Sequence, residues 1–295
     1  MNADQINSTG KAWNWFVFSL EQEYSQNEIQ ALGREVFSHF FGLAPADRVM
    51  GRDNSFAPQQ IKKLGSVIQQ LKNHVPVQYI TGKAHFFGLD FFVNENVLIP
   101  RPETEELVQW VLKSVAEKVK DSVTGLTMLD AGTGSGCIAI ALATKLSKSR
   151  IMACDISEPA LETARINAKK NNVNIDFFNC DILGETPDIS GLDVVVSNPP
   201  YIRQSEKTLI PPNVLNFEPH SALFVSDHDP LVFYRHIAQK AFQWLRHEGL
   251  LFFEINENLG TETMNCVENE GFYLVQLKQD INGKARMIKA VKASR

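Results

Sequence analysis

The sequence predicts an α/β protein, a doubly wound and mostly parallel sheet preceded by a small helical bundle. Three observations lead there. Apolar residues recur at helical spacing up to about residue 83, strand-like and helix-like segments alternate from Leu126 onward, and glycines crowd the strand-to-helix junction at Gly132–Gly136. A chain of 295 residues is long enough for two domains or one large one, and 44% hydrophobic with 21% charged residues is ordinary for a soluble globular protein. The net charge of −5 argues against a partner held chiefly by neutralising phosphates, so no stable nucleic-acid partner is expected. Cys137, Cys154, Cys180 and Cys266 form no C-x-x-C pair and lie mostly in apolar runs, which points to reduced thiols and a reducing compartment. No leader pattern and no bilayer-length apolar run is present, so the expectation is a cytoplasmic protein without a membrane partner.

Residues 1–83 read as several short helices. Their apolar positions are Trp15, Phe16 and Leu20, then Ile29, Leu32, Val36, Phe37 and Phe40, then Ile61, Leu64, Ile68 and Leu71. Ser25 before Glu28 has capping-box spacing, and Ala57-Pro58 suits a later helix start. Eight basic and seven acidic residues up to His85 leave this segment nearly neutral, compatible with an architectural cap or with a docking surface for a macromolecular substrate. Residues 84–100, rich in aromatics from Phe86 to Phe92, predict a β-hairpin linker. From 101 to 295 the chain reads as the catalytic domain. Pro102 and the acids behind it open a helix, while Arg101 and those acids are either a solvated helix start or the wall of a ligand pocket. Strands follow at Leu126–Ala131, Ile151–Asp155, Ile175–Phe178, Val194–Ser197 and Leu250–Ile255, with helices at Pro159–Asn171, Pro230–Leu245 and Leu259–Glu270. Two last strands, Phe272–Leu277 and Arg286–Val291, are joined through Asn282-Gly283 and should pair antiparallel. The stretch Ile202–Asp229 is long for a connection and reads as a substrate loop or a lid.

Chemistry concentrates where these strands end. In Asp130-Ala-Gly132-Thr133-Gly134-Ser135-Gly136 the glycines fall as G-x-G-x-G, not the G-x-G-x-x-G of a dinucleotide fold, and no G-K-[ST] follows to make a triphosphate loop. Asp155 ends the next strand about twenty residues on, the distance at which an acid can accept both hydroxyls of a ribose. Asp181 follows the third strand, where it can receive an adenine amino group while Ile182 covers the ring. After the fourth strand comes Asn198-Pro199-Pro200-Tyr201. Two prolines hold an amide and an aromatic ring stiffly together there, although Asn-Pro is also an ordinary turn signal. His220, Asp227, His228 and Asp229 fit no standard metal spacing, and no metal is expected.

The glycine turn, the acidic strand end and Asn-Pro-Pro-Tyr together resemble the class I S-adenosylmethionine-dependent methyltransferases. Pro76-Val-Gln-Tyr79-Ile-Thr-Gly82, Leu98-Ile-Pro-Arg-Pro-Glu-Thr-Glu105, Phe217-Glu218-Pro219 and Arg286 narrow the resemblance to the HemK/PrmC family, the protein-(glutamine-N5) methyltransferases of peptide-chain release factors. That resemblance implies a seven-stranded sheet with an antiparallel last strand and a substrate-recognition role for residues 1–83. It implies S-adenosyl-L-methionine held by Gly132, Thr133, Gly134, Ser135, Gly136, Asp155, Asp181, Ile182 and Asn198, and as substrate the glutamine of a Gly-Gly-Gln loop in class I release factors. The substrate amide would meet Asn198, Pro199, Pro200 and Tyr201: the Asn198 side-chain oxygen and the Pro199 carbonyl accept its two hydrogens, and Tyr201 covers its plane. Methylation of an exocyclic amino group of adenine (N6) or guanine (N2) is the nearest alternative, since the same acceptors suit those nitrogens. A non-catalytic module holding a protein partner is the alternative of another class.

Overall fold

The computed structural model describes residues 6–43, 55–121 and 125–293; the expected segment ends at 1 and 295 lie outside them. Two units divide the chain: residues up to Gly82 together with Pro211–Phe217, and Lys83–Ile210 together with Glu218 onward. In the first unit the helical periodicity is realised in α1 (Thr9–Leu20), α2 (Gln26–Phe41), α3 (Pro58–Lys72) and the single turn α4 (Val77–Thr81). Ser25 caps α2 as its spacing predicts: its hydroxyl accepts from Glu28 N–H, and its own N–H donates to Glu28 Oε2 at 2.8 Å. Gly42 ends the same helix in the left-handed region, φ 64°, where a side chain is strained. Trp13, Phe16, Phe37 and Leu64 are among the buried residues of one apolar cluster, with Phe16 edge-on to Phe37 at 5.7 Å. Helices α1 and α2 approach closely because Gly33 has no side chain; a Cβ there would stand 2.3 Å from the Trp13 ring.

The second unit opens with the hairpin β1 (Lys83–Phe86) and β2 (Leu89–Phe92), followed by α5 (Pro102–Asp121). Strand and helix then alternate through β3 (Thr127–Ala131), α6 (Cys137–Lys145), β4 (Arg150–Asp155), α7 (Glu158–Lys170), β5 (Asp176–Asn179) and β6 (Leu192–Ser197). The chain closes with α10 (Val232–Trp244), β9 (Leu245–Glu254), α11 (Gly260–Asn269), β10 (Phe272–Gln279) and β11 (Ala285–Lys292), the intervening labels belonging to short elements between β6 and α10. Seven strands form one sheet in the order β10-β11-β9-β6-β3-β4-β5. Only β11 runs against the rest, so the expected antiparallel last strand is present. Helices cover both faces, as βαβ crossovers require. The alternation along β9 makes this concrete: Phe252 meets Trp110 of α5 edge-on at 5.7 Å, and its neighbour Phe253 meets Tyr234 of α10 at 5.3 Å from the other face.

The stretch from Ile202 to Asp229 is not one irregular loop. It carries β7 (Ile202–Arg203), a 3-10 turn at Gln204–Leu209, α8 (Pro212–Leu215), α9 (His220–Leu223) and β8 (Phe224–Val225), with β7 and β8 paired in parallel. Local hydrogen bonding explains the difference, because Glu206 reaches back to accept from Arg203 N–H at 2.8 Å and to pair with its guanidinium at 2.9 Å. Asp227 accepts from Ser205, Asp229 pairs with Arg235, and the His220 ring lies edge-on to Phe224 at 5.2 Å. These side chains therefore serve separate structural contacts. Among the described residues, no helix is long and apolar enough to cross a membrane.

Gly33→Ala places a methyl group inside the ring contact of α1 with α2. It is expected to cost about 1–3 kcal/mol, as overpacked helix interfaces do, measured as a lower urea midpoint in a tryptophan-fluorescence titration.

Candidate active site

The site is built at the carboxyl edge of the sheet, where β3 gives way to the glycine turn. Asp130, only 1% exposed, accepts from the Thr133 hydroxyl at 2.6 Å and from Ala139 N–H at 3.2 Å through Oδ2, while its buried Oδ1 has no partner. Burial pushes its carboxyl from the ordinary 3.8 to about 7, against the two hydrogen bonds that favour ionisation. The turn is tied to the next strand by its own backbone: Gly132 N–H and Thr133 N–H both donate to the Cys154 carbonyl at 2.9 Å. Gly134 N–H donates to Asp155 Oδ2 at 2.8 Å, and Ser157 N–H to Asp155 Oδ1 at 2.9 Å. Burial raises the Asp155 carboxyl as well, opposed by those N–H groups.

The three glycines of the turn have different jobs. All sit at positive φ, but a Cβ on Gly132 or Gly134 would meet no atom within 4 Å, whereas one on Gly136 would stand 3.0 Å from the Ile140 side chain and 3.1 Å from Ala164. Gly132 and Gly134 thus face open space. Gly136, grouped with them from sequence, lets α6 pack on α7. Asn167 fixes the turn from behind: fully buried in α7, it donates to the Ser135 and Phe92 carbonyls at 2.9 Å each and accepts from Phe92 N–H at 2.6 Å.

One cavity of 480 Å³ gathers Gly132, Thr133, Gly134, Ser135, Asp155, Asp181, Ile182, Asn198, Pro199 and Pro200. Gly136 and Tyr201 do not line it. Ile156, Arg101 and Thr104 do, which the motifs did not assign to a ligand, although Arg101 was marked as a pocket wall. Asp181 Oδ1 accepts from Leu183 N–H at 3.0 Å, a turn that stiffens the strand end. Arg101 pairs at 2.6 Å with Glu218, whose other oxygen accepts from Ile99 N–H at 3.2 Å. Burial raises the Glu218 carboxyl in spite of that partner. A larger hollow of 860 Å³, floored by Trp110 and edged by Lys113, Lys278 and Lys289, contains none of the strand-end residues.

Behind Asn198 lies a buried polar chain. Asn198 Nδ2 donates to Thr104 Oγ1 at 3.3 Å, Thr104 Oγ1 donates to Glu254 Oε2 at 2.6 Å, and the Tyr201 hydroxyl donates to Glu254 Oε1 at 3.1 Å. Asn256 Nδ2 donates to the Tyr201 carbonyl at 3.0 Å, so the tyrosine is held at both ends. Burial raises both Glu254 and Tyr201, and each is also raised or held down by the other and by Arg286. The acid in the apolar stretch Leu250–Ile255 was the one sequence signal for Glu254; Thr104 lay at a helix start and within Leu98–Glu105, a segment that carries the family resemblance, but no contact was assigned to it.

Comparison with known proteins places this geometry among relatives. Family models match residues 111–215 as a methyltransferase small domain and residues 11–82 as a PrmC N-terminal domain. A protein named release factor glutamine methyltransferase from Flavobacterium psychrophilum is 46% identical over 276 residues, 93% of this chain and 95% of that one. One of the same name from Bacteroides thetaiotaomicron is 40% identical over 274 residues, 92% and 96% of the two chains. The crystal structure of a methyltransferase from Pyrococcus furiosus superposes with a TM-score of 0.52 at 18% identity, covering 78% of this chain and 99% of that one, a likeness of fold.

Asp130 gives the site a pH signature in the absence of any ligand. Between 3.8 and about 7 the folded chain holds a proton that the unfolded chain releases, so this group's contribution to stability is present at low pH and is lost as pH rises through about 7. Asp130→Asn can keep both acceptor contacts and has no charge to bury. Its melting temperature relative to the parent chain is expected to climb from pH 4 to pH 7 and then level off, as followed by thermal unfolding across that range.

Proposed function

Because the chain belongs to the release factor glutamine methyltransferase family, we propose that it transfers a methyl group from S-adenosyl-L-methionine to the side-chain N5 of the glutamine in the Gly-Gly-Gln motif of class I peptide-chain release factors. The observation that carries this is the Asn198 amide at the cavity rim, with its Nδ2 committed to Thr104 and its Oδ1 left as an acceptor beside Pro199. A glutamine nitrogen is a poor nucleophile because its lone pair is delocalised into the carbonyl. Two acceptors that take its hydrogens, Asn198 Oδ1 and the Pro199 carbonyl, turn the lone pair out of that conjugation and aim it, so orientation replaces a strong base. Tyr201 acts from behind: anchored to Glu254 and Asn256, it sets the position of the turn.

The rest of the cavity fits the cofactor. Open space above Gly132 and Gly134 admits a ligand against the backbone, Asp155 and Asp181 offer acceptors for ribose hydroxyls and an adenine amino group, and Ile156 and Ile182 supply apolar walls. Bound there, S-adenosyl-L-methionine supplies a methyl group already activated on a sulfonium. The helical segment 1–83 serves recognition of the release-factor body, in keeping with its match to a PrmC N-terminal domain over 11–82. Four free thiols fit a cytoplasmic setting.

The test is to incubate the protein with methyl-labelled S-adenosyl-L-methionine and a release factor, its Gly-Gly-Gln Gln→Ala variant, or nucleic acid. Label is expected in the release factor alone; label only in nucleic acid sinks the proposal. Asn198→Ala is expected to lower turnover by roughly a hundredfold or more, the scale of losing a preorganised hydrogen-bonding group at the reacting atom, with cofactor affinity by calorimetry nearly unchanged. Gly134→Ala is expected to do the opposite first, weakening cofactor binding because its methyl group enters the cavity.

A further inference from the structure

The two ends of a carboxamide have almost the same shape and opposite hydrogen-bonding character, so an active-site asparagine works as an acceptor only if something prevents its flip. Resting on the glutamine-N5 reading above, we propose that Thr104 and Glu254 are positioning residues that fix which end of Asn198 faces the cavity. Neither lies in the Asn-Pro-Pro-Tyr turn.

The direction of the chain follows from counting hydrogens. Glu254 is 1% exposed, and although burial raises its carboxyl, the Thr104 and Tyr201 hydroxyls and the charge of Arg286 all favour its ionised form, which has only acceptors to offer. A hydroxyl at 2.6 Å from its Oε2 is at the distance of a charge-assisted donation, so the single hydrogen of Thr104 points to Glu254. With that hydrogen committed, Thr104 Oγ1 presents only lone pairs to Asn198, 3.3 Å away. The side of Asn198 turned to Thr104 is therefore its NH₂, and the oxygen is left for the cavity. The second oxygen of Glu254 is occupied by the Tyr201 hydroxyl at 3.1 Å, so the same carboxylate holds the turn at Asn198 through Thr104 and directly three residues on.

The scaffold makes this arrangement rigid. Glu254 ends β9 and is paired across the sheet with Met287 of β11; Asn198 directly follows Ser197, whose β6 partner on β9 is Phe253. Thr104 lies in the first turn of α5, itself 2% exposed. Glu254 and Thr104 thus sit on regular elements and Asn198 follows one directly, and the threonine bridges the ends of two adjacent strands. Reversing the chain would turn the Asn198 NH₂ toward one of the two N–H hydrogens of the substrate amide and leave the Pro199 carbonyl as the sole acceptor of the pair.

Thr104→Val keeps the shape of the side chain and removes the bridge. Asn198 then turns its NH₂ to the wet cavity, since an unpaired N–H against valine is the costlier orientation. The competent orientation becomes the minor one, and kcat for release-factor methylation is expected to fall roughly ten- to a hundredfold, the range set by leaving a buried donor unsatisfied. Cofactor affinity by calorimetry is expected to stay close to that of the parent chain, the melting temperature is expected to fall because Glu254 Oε2 loses its donor, and Thr104→Ser is expected to restore both the melting temperature and most of kcat. Glu254→Gln provides the second variant: its amide can donate to Thr104, which then donates to Asn198 Oδ1 and reverses the chain, so kcat is expected to fall by a similar factor. Combined with Thr104→Val, it should add little, because both act through Asn198.

Parent-level kcat in Thr104→Val, no recovery in Thr104→Ser, or a loss confined to cofactor affinity overturns the proposal. The parent chain assayed alongside separates the two levels. Failure of the parent to label a release factor refutes the glutamine reading itself, whereas normal labelling by both parent and Thr104→Val refutes only the positioning role.

Discussion

The register of the parallel ladder around β3 is the constraint on which everything else rests. Ala131 is level with Cys154 on one side and with Ser197 on the other, and Asp155 is level with Asn179 on β5. Backbone hydrogen bonds therefore bring the glycine turn, Asp155, Asp181 and Asn198 to one edge, although they are spread over nearly seventy residues of sequence. A slip of one residue on any of these strands would turn its terminal side chain to the other face of the sheet. The apolar middle of the strands guards against that slip: Val194, Val195 and Val196 are fully buried, and so are Leu129 and Ala153 beside them.

Stability and chemistry are separated along the strand direction. The strand centres are apolar and closely packed, while the carboxyl edge holds Asp130, Glu218 and Glu254, each buried and each pushed toward its neutral form by that burial. Buried acids are costly unless hydrogen-bonded. Here each has found donors: Thr133 and Ala139 for Asp130, Arg101 and Ile99 for Glu218, Thr104 and Tyr201 for Glu254. The edge is accordingly held by directional contacts, which specify side-chain orientation more sharply than apolar packing does.

The sheet and most of the cavity were legible in the sequence because their signals are local. Period, strand-end acids and a glycine-rich junction lie within windows of ten to twenty residues, and the resemblance carried by Asn198–Tyr201 and its flanks pointed to the same edge. What escaped depends on contacts distant in sequence. Thr104 meets Glu254 across 150 residues, and Asn167 reaches Phe92 across 75, so neither spacing nor periodicity could connect them. Gly136 was read with its neighbours because three glycines in alternation look alike, yet only the packing of α6 on α7 distinguishes its role. The bond from the Tyr201 hydroxyl to Glu254 spans 53 residues and was equally beyond reach, because sequence had left that carboxylate as a strand residue. The Ile202–Asp229 stretch lacked periodicity because its elements are two to six residues long, too short for any periodic signal.

The hydrogen bonds within the glycine turn also determine what the cavity turns away. Gly-rich turns that bind nucleotides leave successive N–H groups pointing at phosphate, forming a concave anion trap. Here Gly132 and Thr133 direct theirs to the Cys154 carbonyl, Gly134 to Asp155 and Gly136 to the Thr133 carbonyl. Four donors that a phosphate nest would need are consumed internally, and Asp155 and Asp181 stand where the negative charge of a polyphosphate would have to approach. ATP and the dinucleotides share an adenosine with the cofactor but carry phosphates where it carries a cationic sulfonium, so the turn offers their phosphates no nest and sets carboxylates in their path.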